Sequence, residues 1–414
     1  HYTLAGMSSG GSHGGGEGSV LLKAKRLFDG VHDVVLADPI LEVDGGRLVG
    51  VTHGAVAGAA REPDVDLGDT TLLPGLIDVH QHLGFDASTD PVATMRSDSD
   101  AVLLLRMRLA ARRALSVGIT TIRDLGDRGY LGVALRDWFR SGAEAGPEIL
   151  ASGPPITTTG GHCWFMGGEA DGVAGVRQAV RDHVARGVDV IKVMATGGNL
   201  TEGSGPHESQ YSLEELRAVV DEAHAHHLLL AAHAHGTQGI SDSMEAGADS
   251  IEHCTFWSEE GVDEAPELVA ELGRRRAFVS VTGGYLPGMA PSIPAAAARA
   301  PAIRTQMRAL RRAGARLVCS TDAGIAPGKP HSLLPYSVVA FAAATSNAEA
   351  LTAATALAAE ACGIADRKGA VVVGLDADLL AVRGNPLEDI DALHDVVAVY
   401  TRGRRVPLPL VDET

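Results

Sequence analysis

Residues 72–82 have the sequence LLPGLIDVHQH, an apolar run that ends in two histidines. Successive side chains of a β-strand point to opposite faces, so His80 and His82 would point the same way and could bind one metal ion. The pair alone is a weak signal, because the chain contains 17 histidines and a chance pair on a half-exposed strand is an equal alternative. The rest of the chain must therefore decide between the two interpretations.

Four further polar residues stand at or near the C-terminal ends of short apolar runs. They are Lys192 in Asp189–Met194, His233 after Leu229–Ala232, His253 after Ser250–Glu252 and Asp322 after Leu317–Thr321. The C-terminal ends of parallel strands lie on one side of a sheet or barrel, so these side chains are expected to lie with His80 and His82. The recurrence favours a metal site over a chance pair.

Short apolar runs alternate with amphipathic helical stretches from about residue 72 to residue 360, a pattern that predicts strand-helix units and a parallel sheet. Two of the helical stretches begin with capping boxes, Ser212–Glu215 and Ser346–Glu349. Eight such units predict a (β/α)8 barrel, in which active sites lie at the C-terminal ends of the strands. The predicted strands are Leu72–Val79, Ile119–Arg123, Glu148–Ser152, Asp189–Met194, Leu228–Ala232, Ser250–Glu252, Ala277–Val281 and Arg316–Ser320.

Short β segments separated by Gly, Asp and Asn turns flank this region on both sides. They are Val20–Leu27, Leu41–Val43, Arg47–Val51, Ala370–Val373, Leu379–Val382 and Val396–Thr401. We therefore predict an α/β protein with a (β/α)8 barrel over residues 72–361. Both chain ends, residues 19–71 and 362–414, are predicted to form a small β-sandwich domain without a catalytic role. Residues 1–18, rich in Gly and Ser, are expected to be a flexible leader.

Composition excludes several classes of protein. The formal charge of −17 argues against a nucleic-acid partner, because such binding requires clustered Lys and Arg. Apolar runs are shorter than the roughly 18 residues of a membrane span, and no signal-peptide pattern is visible, so we expect a cytoplasmic protein without membrane contact. The four cysteines lack paired spacing, so a metal would be bound by nitrogen and oxygen.

Lys192 is the unusual member of the strand-end set. A protonated ammonium has no lone pair and would repel a metal ion. A lysine amine that carries carbon dioxide becomes a carbamate, whose two oxygens can bridge two metal ions about 3.5–4 Å apart. One lysine at this position therefore favours a two-metal site over a one-metal site.

Six motifs, in order along the chain, resemble those of the amidohydrolase superfamily. They are residues 73–82 (LPGLIDVHQH), 118–124 (GITTIRD), 191–198 (IKVMATGG), 233–236 (HAHG), 250–253 (SIEH) and 320–324 (STDAG). Residues 374–387 also resemble the closing segment of that family. The resemblance extends from about Val20 to Val406.

The resemblance implies a binuclear zinc site. It places His80 and His82 on one ion and His233 and His253 on the other, with carboxylated Lys192 and a hydroxide bridging the ions. Asp322 would be a ligand beside the hydroxide and the general base that passes its proton to the leaving amine. The alternative for Asp322 is the N-cap of a helix that begins at Ala323-Gly324.

Within the superfamily, the sequence is most similar to metal-dependent prolidases, carboxypeptidase-like dipeptidases and N-acyl amino acid hydrolases. The loop 157–162 (TTTGGH) resembles that branch, and its His162 could donate a hydrogen bond to the substrate carbonyl or carboxylate, or simply contact the backbone. Tyr211 and His331 are weaker candidates for substrate contact, and a structural role is the slightly favoured alternative for each. His207 and His235 are treated as bystanders, although His235 shares a strand face with His233.

The expected activity is therefore hydrolysis of a C–N amide bond in a small molecule, a dipeptide or an N-acyl amino acid. Ureas, carbamates and cyclic amides are an alternative on the same site, although the cyclic-amide relatives usually lack the bridging lysine. A non-catalytic scaffold is a remote alternative, because buried ligand residues without a metal would be costly to keep. Barrels of this type often associate, so a homo-oligomer is expected.

Overall fold

The computed structural model describes residues 19–54 and 61–408, so the predicted leader and residues 409–414 lie outside the described residues. The strands are β1 (Val20–Lys23), β2 (Arg26–Leu27), β3 (Leu36–Ala37), β4 (Ile40–Asp44), β5 (Arg47–Thr52), β6 (Val65–Asp66), β7 (Thr70–Pro74), β8 (Leu76–Gln81), β9 (Ile119–Asp124), β10 (Glu148–Ala151), β11 (Val190–Met194), β12 (Leu229–Gly236), β13 (Ser250–Trp257), β14 (Phe278–Val281), β15 (Arg316–Cys319), β16 (Leu379–Arg383), β17 (Val396–Thr401) and β18 (Arg404–Arg405).

The helices lie mainly between the strands from β8 onward. They are α1 (Pro91–Ser97), α2 (Asp100–Ser116), α3 (Leu131–Arg140), α4 (Gly172–Ala185), α5 (Leu213–Ala225), α6 (Thr237–Ala246), α7 (Pro266–Arg274), α8 (Pro294–Ala313), α9 (Leu334–Ala342), α10 (Asn347–Ala353) and α11 (Ala356–Ala361). None of the helices in the described ranges is both long and apolar enough to cross a membrane.

Each of the eight predicted strand runs overlaps one of the strands β8 to β15. These strands form two sheets, in the orders β10-β9-β8 and β11-β12-β13-β14-β15, and neighbouring strands within each sheet are parallel. Two isolated parallel bridges connect these sheets. Gln81 of β8 pairs with Ala323, which follows β15, and Val193 of β11 pairs with Ile156, which follows β10. The predicted α/β class with parallel strands is therefore confirmed.

The two chain ends form two further sheets. One has the order β5-β4-β1-β6, and the other has the order β18-β17-β16-β7-β2-β3. Strand β7 joins the ends, because it pairs with β2 on one side and with β16 on the other. Side chains from both sheets, including Leu22, Leu41, Leu72 and Leu379, form one buried apolar cluster.

The prediction of one strand over Leu72–Val79 is wrong, because the run contains two strands that belong to different sheets. Strand β7 pairs with β16 in the chain-end sheet, whereas β8 pairs with β9. The break falls at Gly75, where a Cβ atom would overlap the side chain of Thr120. Only glycine allows this close approach. At Gly75 the chain therefore passes directly from β7 in the chain-end sheet to β8 in the parallel sheet.

Other differences concern the lengths of elements. The predicted strand Ala370–Val373 is not formed. The Val371 amide donates a hydrogen bond to the Asp29 carbonyl, and the side chains of the next two valines are exposed. Strands β12 and β13 are longer than predicted, so His233 and His253 lie within them. The capping box at Ser212 is present, and its reciprocal bonds begin α5.

Candidate active site

The six predicted metal ligands lie together at one side of the parallel strands. His80, Lys192, His233 and His253 belong to β8, β11, β12 and β13, and His82 and Asp322 follow β8 and β15. All six side chains are buried. A cavity of about 840 Å³ opens onto five of them, and His80 is buried beside His82 and Asp322. The strand ends thus bring together the residues that the sequence analysis selected.

His80, His82 and Asp322 form the first cluster of possible ligands. The His80 and His82 Nε2 atoms are 3.2 Å apart, and Asp322 Oδ1 lies 3.4 Å and 3.3 Å from them. The Asp322 amide donates to the His80 carbonyl at 2.8 Å, which fixes the residue against β8. Burial opposes ionisation of Asp322, but His80 and His82 outweigh it and lower the pKa of this carboxyl. Three ligand atoms therefore converge on one point.

The backbone at Asp322 has a φ of 55°, a left-handed conformation that is uncommon for residues other than glycine. Such conformations persist where surrounding structure imposes them, often at functional sites. The next helix, α9, begins at Leu334, so Asp322 is not the N-cap of a helix at Ala323. The alternative structural role considered for Asp322 is thereby excluded.

A second cluster contains His233, His235 and His253. The ring centroids of His233 and His253 are 4.6 Å apart, and His235 stacks on His253 at 4.4 Å. Hydrogen bonds orient the rings, since His253 Nδ1 lies 2.8 Å from Thr282 Oγ1 and His235 Nδ1 lies 2.8 Å from Thr255 Oγ1. His235 was expected to be a bystander, although its spacing from His233 is the same His-x-His pattern as that of His80 and His82.

Lys192 lies between these groups without a hydrogen-bond partner. Its side chain is buried, and no partner for Nζ occurs within residues 19–54 and 61–408. The charge of Lys192 disfavours protonation of both His80 and His233, so it lies near both clusters. Burial lowers the pKa of Lys192 to about 8, against the opposing effect of Glu252 and Asp322. Burying an amine without a hydrogen-bond partner is energetically unfavourable, and such groups are rare in folded proteins.

The Glu252 carboxylate contacts the ring nitrogen of His80 that points away from His82, and this contact was not predicted from the sequence. Glu252 Oε2 lies 2.8 Å from His80 Nδ1, and Oε1 accepts hydrogen bonds from Arg123 at 2.9 Å and from Ser250 at 2.6 Å. Burial would raise the pKa of Glu252, but Arg123 and His80 lower it, so the carboxylate is charged. A carboxylate on one ring nitrogen holds the other nitrogen ready to bind a metal.

Replacement Glu252→Gln is therefore expected to weaken metal binding by about 10–100-fold, the usual effect of losing such a supporting group. Competition with a chromogenic chelator would measure the affinity. Glu148→Gln is the matched control and should leave metal affinity unchanged. Glu148 is the first residue of β10, at the end away from the ligand clusters, and forms ion pairs with Arg367 and Lys368. Equal metal affinity in wild type and Glu252→Gln would contradict this role for Glu252.

His162, in the loop after β10, lies beside the second cluster of possible ligands. Its ring centroid is 4.8 Å from that of His233, and it lines the cavity. The buried Nδ1 atom has no partner in the described part of the chain. Burial lowers the pKa of His162 to about 3, so the ring is neutral near pH 7 and offers one donor and one acceptor. His162 is therefore free to hydrogen bond a ligand in the cavity.

Tyr211 and His331 are corrections to the predicted substrate contacts. The Tyr211 hydroxyl donates to the Ala170 carbonyl at 2.7 Å, and its ring packs in an apolar cluster. The two ring nitrogens of His331 lie 3.2 Å from Gln81 Oε1 and 2.9 Å from the Phe85 carbonyl. Neither residue lines the cavity. Both polar groups bond to the protein itself, which gives the two residues structural roles.

The cavity extends from the two clusters to helices α8 and α9, where Met307 and Phe341 line it. Its volume lies within the range of sites that enclose a small organic ligand. Tyr285 and Lys329 also line it, and Lys329 is buried. The site therefore combines a group of possible metal ligands with space for a substrate larger than water.

Comparison with known proteins identifies the family. Residues 71–406 match the Amidohydrolase family. The chain is 32% identical to ochratoxinase from Aspergillus niger over 363 residues, which cover 79% of this chain and 73% of that protein. A solved Xaa-Pro dipeptidase with bound methionine superimposes with a TM-score of 0.82 at 30% identity, covering 94% of this chain and all of the other.

A second solved structure, a prolidase complexed with N-methylphosphonate-L-proline, has a TM-score of 0.81 at 29% identity, covering 94% of this chain and 99% of the other. The family match covers most of the chain, and the similarity to relatives extends over nearly the whole described structure. The resemblance inferred from the six sequence motifs is thereby confirmed. The chain belongs to the amidohydrolase family and is a hydrolase.

Proposed function

We propose that the protein is a metal-dependent hydrolase that cleaves the C–N amide bond of dipeptides or N-acyl amino acids. The observation that carries this proposal is the buried Lys192, whose Nζ has no partner among the described residues and which lies near two clusters of metal-ligand side chains. This donor set fits two divalent ions better than one, because a single ion would leave Lys192 without a role.

Each cluster would hold one ion, zinc by preference, since imidazole and carboxylate are common zinc ligands. His80 and His82 would bind one ion and His233 and His253 the other, with Asp322 at the first. Such ions supply hydroxide from water near neutral pH and polarise a carbonyl group.

Lys192 would join the two ions as a carbamate. Its neutral amine adds to carbon dioxide, forming an N–C bond and releasing one proton, and the product carries an anionic carboxylate group. The lowered pKa of Lys192 supports this reaction, because it increases the fraction of neutral amine near pH 7. The modification would also remove the cost of a buried, unpartnered ammonium.

The chain's own side chains would then move the protons and orient the substrate. Asp322 would accept the proton of the attacking water and deliver it to the leaving nitrogen, so that an amine departs instead of an amide anion. His162 would donate a hydrogen bond to the substrate carbonyl or carboxylate. Glu252 would hold His80 in position through the bond at Nδ1.

We further infer that β8 to β15 form a closed (β/α)8 barrel and that the chain-end sheets form a β-sandwich. Isolated bridges connect β8 to the segment after β15 and β11 to the segment after β10, which supports closure. The shared apolar cluster of the chain-end sheets supports the sandwich. The boundary between the two units would lie at Gly75, three residues later than the predicted start of the barrel.

The proposed substrate class rests on relatives as well as on the site. The names of similar proteins include a Xaa-Pro dipeptidase, a prolidase and ochratoxinase, all at 29–32% identity. A phenylurea hydrolase also shares the fold, but at 21% identity it indicates only the architecture. An amide that carries a free carboxylate is therefore the substrate class we favour.

The test is a screen of zinc-loaded protein against dipeptides, N-acyl amino acids, aryl ureas and carbamates, with detection of the released amine. We expect release from dipeptides or N-acyl amino acids, and release slower by about a hundredfold or more from an Asp322→Asn variant purified in the same way. Cleavage confined to ureas or carbamates would keep the metal chemistry and overturn the proposed substrate class.

A further inference from the structure

Lys329 is a buried cation that the proposed mechanism does not use. It lies in the segment between β15 and α9, and its side chain lines the cavity. Its Nζ donates to the Thr321 carbonyl at 2.6 Å and to the Thr282 carbonyl at 3.0 Å. The same atom lies 4.9 Å from the centre of the Tyr285 ring, which also lines the cavity.

The charge of Lys329 has no bonded counterion among the described residues. No acidic oxygen of the described chain lies within 4 Å of Nζ, and both acceptors are neutral carbonyls. An ammonium has three N–H donors, and these two carbonyls use two of them. The carboxylates of Asp322 and Asp78 attract this charge from a greater distance. Neither carboxylate accepts a hydrogen bond from Nζ, so the third N–H is available to an anion in the cavity.

The position of Lys329 suits one particular anion of the proposed substrate. In a dipeptide or N-acyl amino acid, the carboxylate carbon is two bonds from the scissile nitrogen. Asp322 would deliver a proton to that nitrogen, so the carboxylate must lie close to Asp322. Lys329 meets this requirement, since it bonds to Thr321, the residue immediately before Asp322.

We propose that Lys329 binds the carboxylate of the leaving amino acid and thereby makes the enzyme select amides with a free α-carboxylate. This inference rests on the proposed function and deepens it. The third N–H of Lys329 donates to a carboxylate oxygen, while the two carbonyls hold the ammonium in place. The face of Tyr285 stabilises the cation and restricts its movement.

The competing role for Lys329 is purely structural. Its hydrogen bonds to the Thr282 and Thr321 carbonyls would then serve only as a structural tie that holds the ends of β14 and β15 together. A tie would affect every substrate equally, whereas a carboxylate contact affects only substrates that carry the carboxylate. The decisive quantity is therefore a ratio of kcat/KM values, for an N-acyl amino acid and for its C-terminal carboxamide. Loss of folded protein lowers both values together and leaves the ratio unchanged.

We expect wild type to prefer the carboxylate over the carboxamide by about 10–100-fold, the effect of one charge-assisted hydrogen bond. Lys329→Met should bring the ratio close to one, and Lys329→Arg should retain part of it. The free amino acid product should also inhibit Lys329→Met less than wild type. Arg217→Gln is the control, because Arg217 is an exposed cation on α5 that pairs with Glu245 and does not line the cavity, and its ratio should equal that of wild type.

An unchanged ratio in Lys329→Met would assign Lys329 to the structural tie and overturn the inference. Equal wild-type activity on carboxylate and carboxamide would also overturn it, while leaving the proposed amide hydrolysis intact. Wild type that cleaves neither compound but hydrolyses ureas or carbamates would overturn both the inference and the proposed substrate class. The three results are distinguishable in one set of assays.

Discussion

Lys192→Ala is expected to lose bound zinc and to reduce hydrolysis below detection. The side chain is buried, near both ligand clusters, and its amine has no partner among the described residues. Alanine removes the group that would bridge two ions, so each cluster keeps too few ligands for tight binding. Elemental analysis of purified protein would give the metal content, with about two ions per chain expected for wild type.

Rescue and a matched control separate this role from a loss of folding. A short carboxylate such as acetate should restore part of the metal binding and activity of Lys192→Ala, because it can occupy the space of the carbamate. Lys368→Met removes another buried lysine, one that pairs with Glu148 and Asp378, and should lower stability without changing the metal content. Full activity and normal zinc content in Lys192→Ala would rule out the bridge.

Asp322→Asn should retain metal and lose turnover by about a hundredfold or more, the scale of removing a general base. The amide has nearly the same shape as the carboxylate, and its oxygen can still approach His80 and His82, but it cannot accept a proton. The low pKa of Asp322, caused by those two histidines against the effect of burial, keeps the carboxylate ionised near pH 7 in the wild type. Steady-state kinetics with parallel metal analysis would measure both effects.

Asp376→Asn is the control for Asp322→Asn. Asp376 is also buried, but it lies near the chain-end sheets and pairs with Arg367. Its replacement should leave kcat unchanged. If Asp322→Asn instead lost most of its metal with a modest fall in rate, Asp322 would be a ligand and not the base.

Much of the fold could be predicted because strand-helix alternation and strand-end chemistry are local properties of the sequence. The split at Gly75 could not, since residues 72–79 are apolar apart from Asp78 and both halves are fully buried. The partner of each half decides which sheet it joins, and those partners, β16 and β9, are far apart in the sequence. The role of Gly75 depends on Thr120, which approaches it only in the folded chain.

The candidate site shows the same division. His80, Lys192 and Asp322 were found from their position at strand ends, which is visible in one sequence. Tyr211 and His331 could not be removed from the candidates for substrate contact, because their hydrogen bonds to the Ala170 carbonyl and to Gln81 are tertiary contacts that no spacing reveals.

His235 and Glu252 were missed as members of the site for different reasons. His235 had a visible signal, its spacing from His233, which was given too little weight. Glu252 had none, because its partners His80 and Arg123 belong to other strands.

The pairing of β7 with β16 has a consequence for synthesis of the chain. Leu73 of β7 is opposite Leu380 of β16. Strand β7 is therefore synthesised about 300 residues before the strand with which it pairs. Strand β7 continues directly into β8, which carries His80. The nascent polypeptide can therefore complete this part of its structure only after most of it has left the ribosome, and contacts between such distant segments slow folding. Until then the backbone groups of β7 that pair with β16 have no partner, and an unpaired strand edge of this kind favours aggregation.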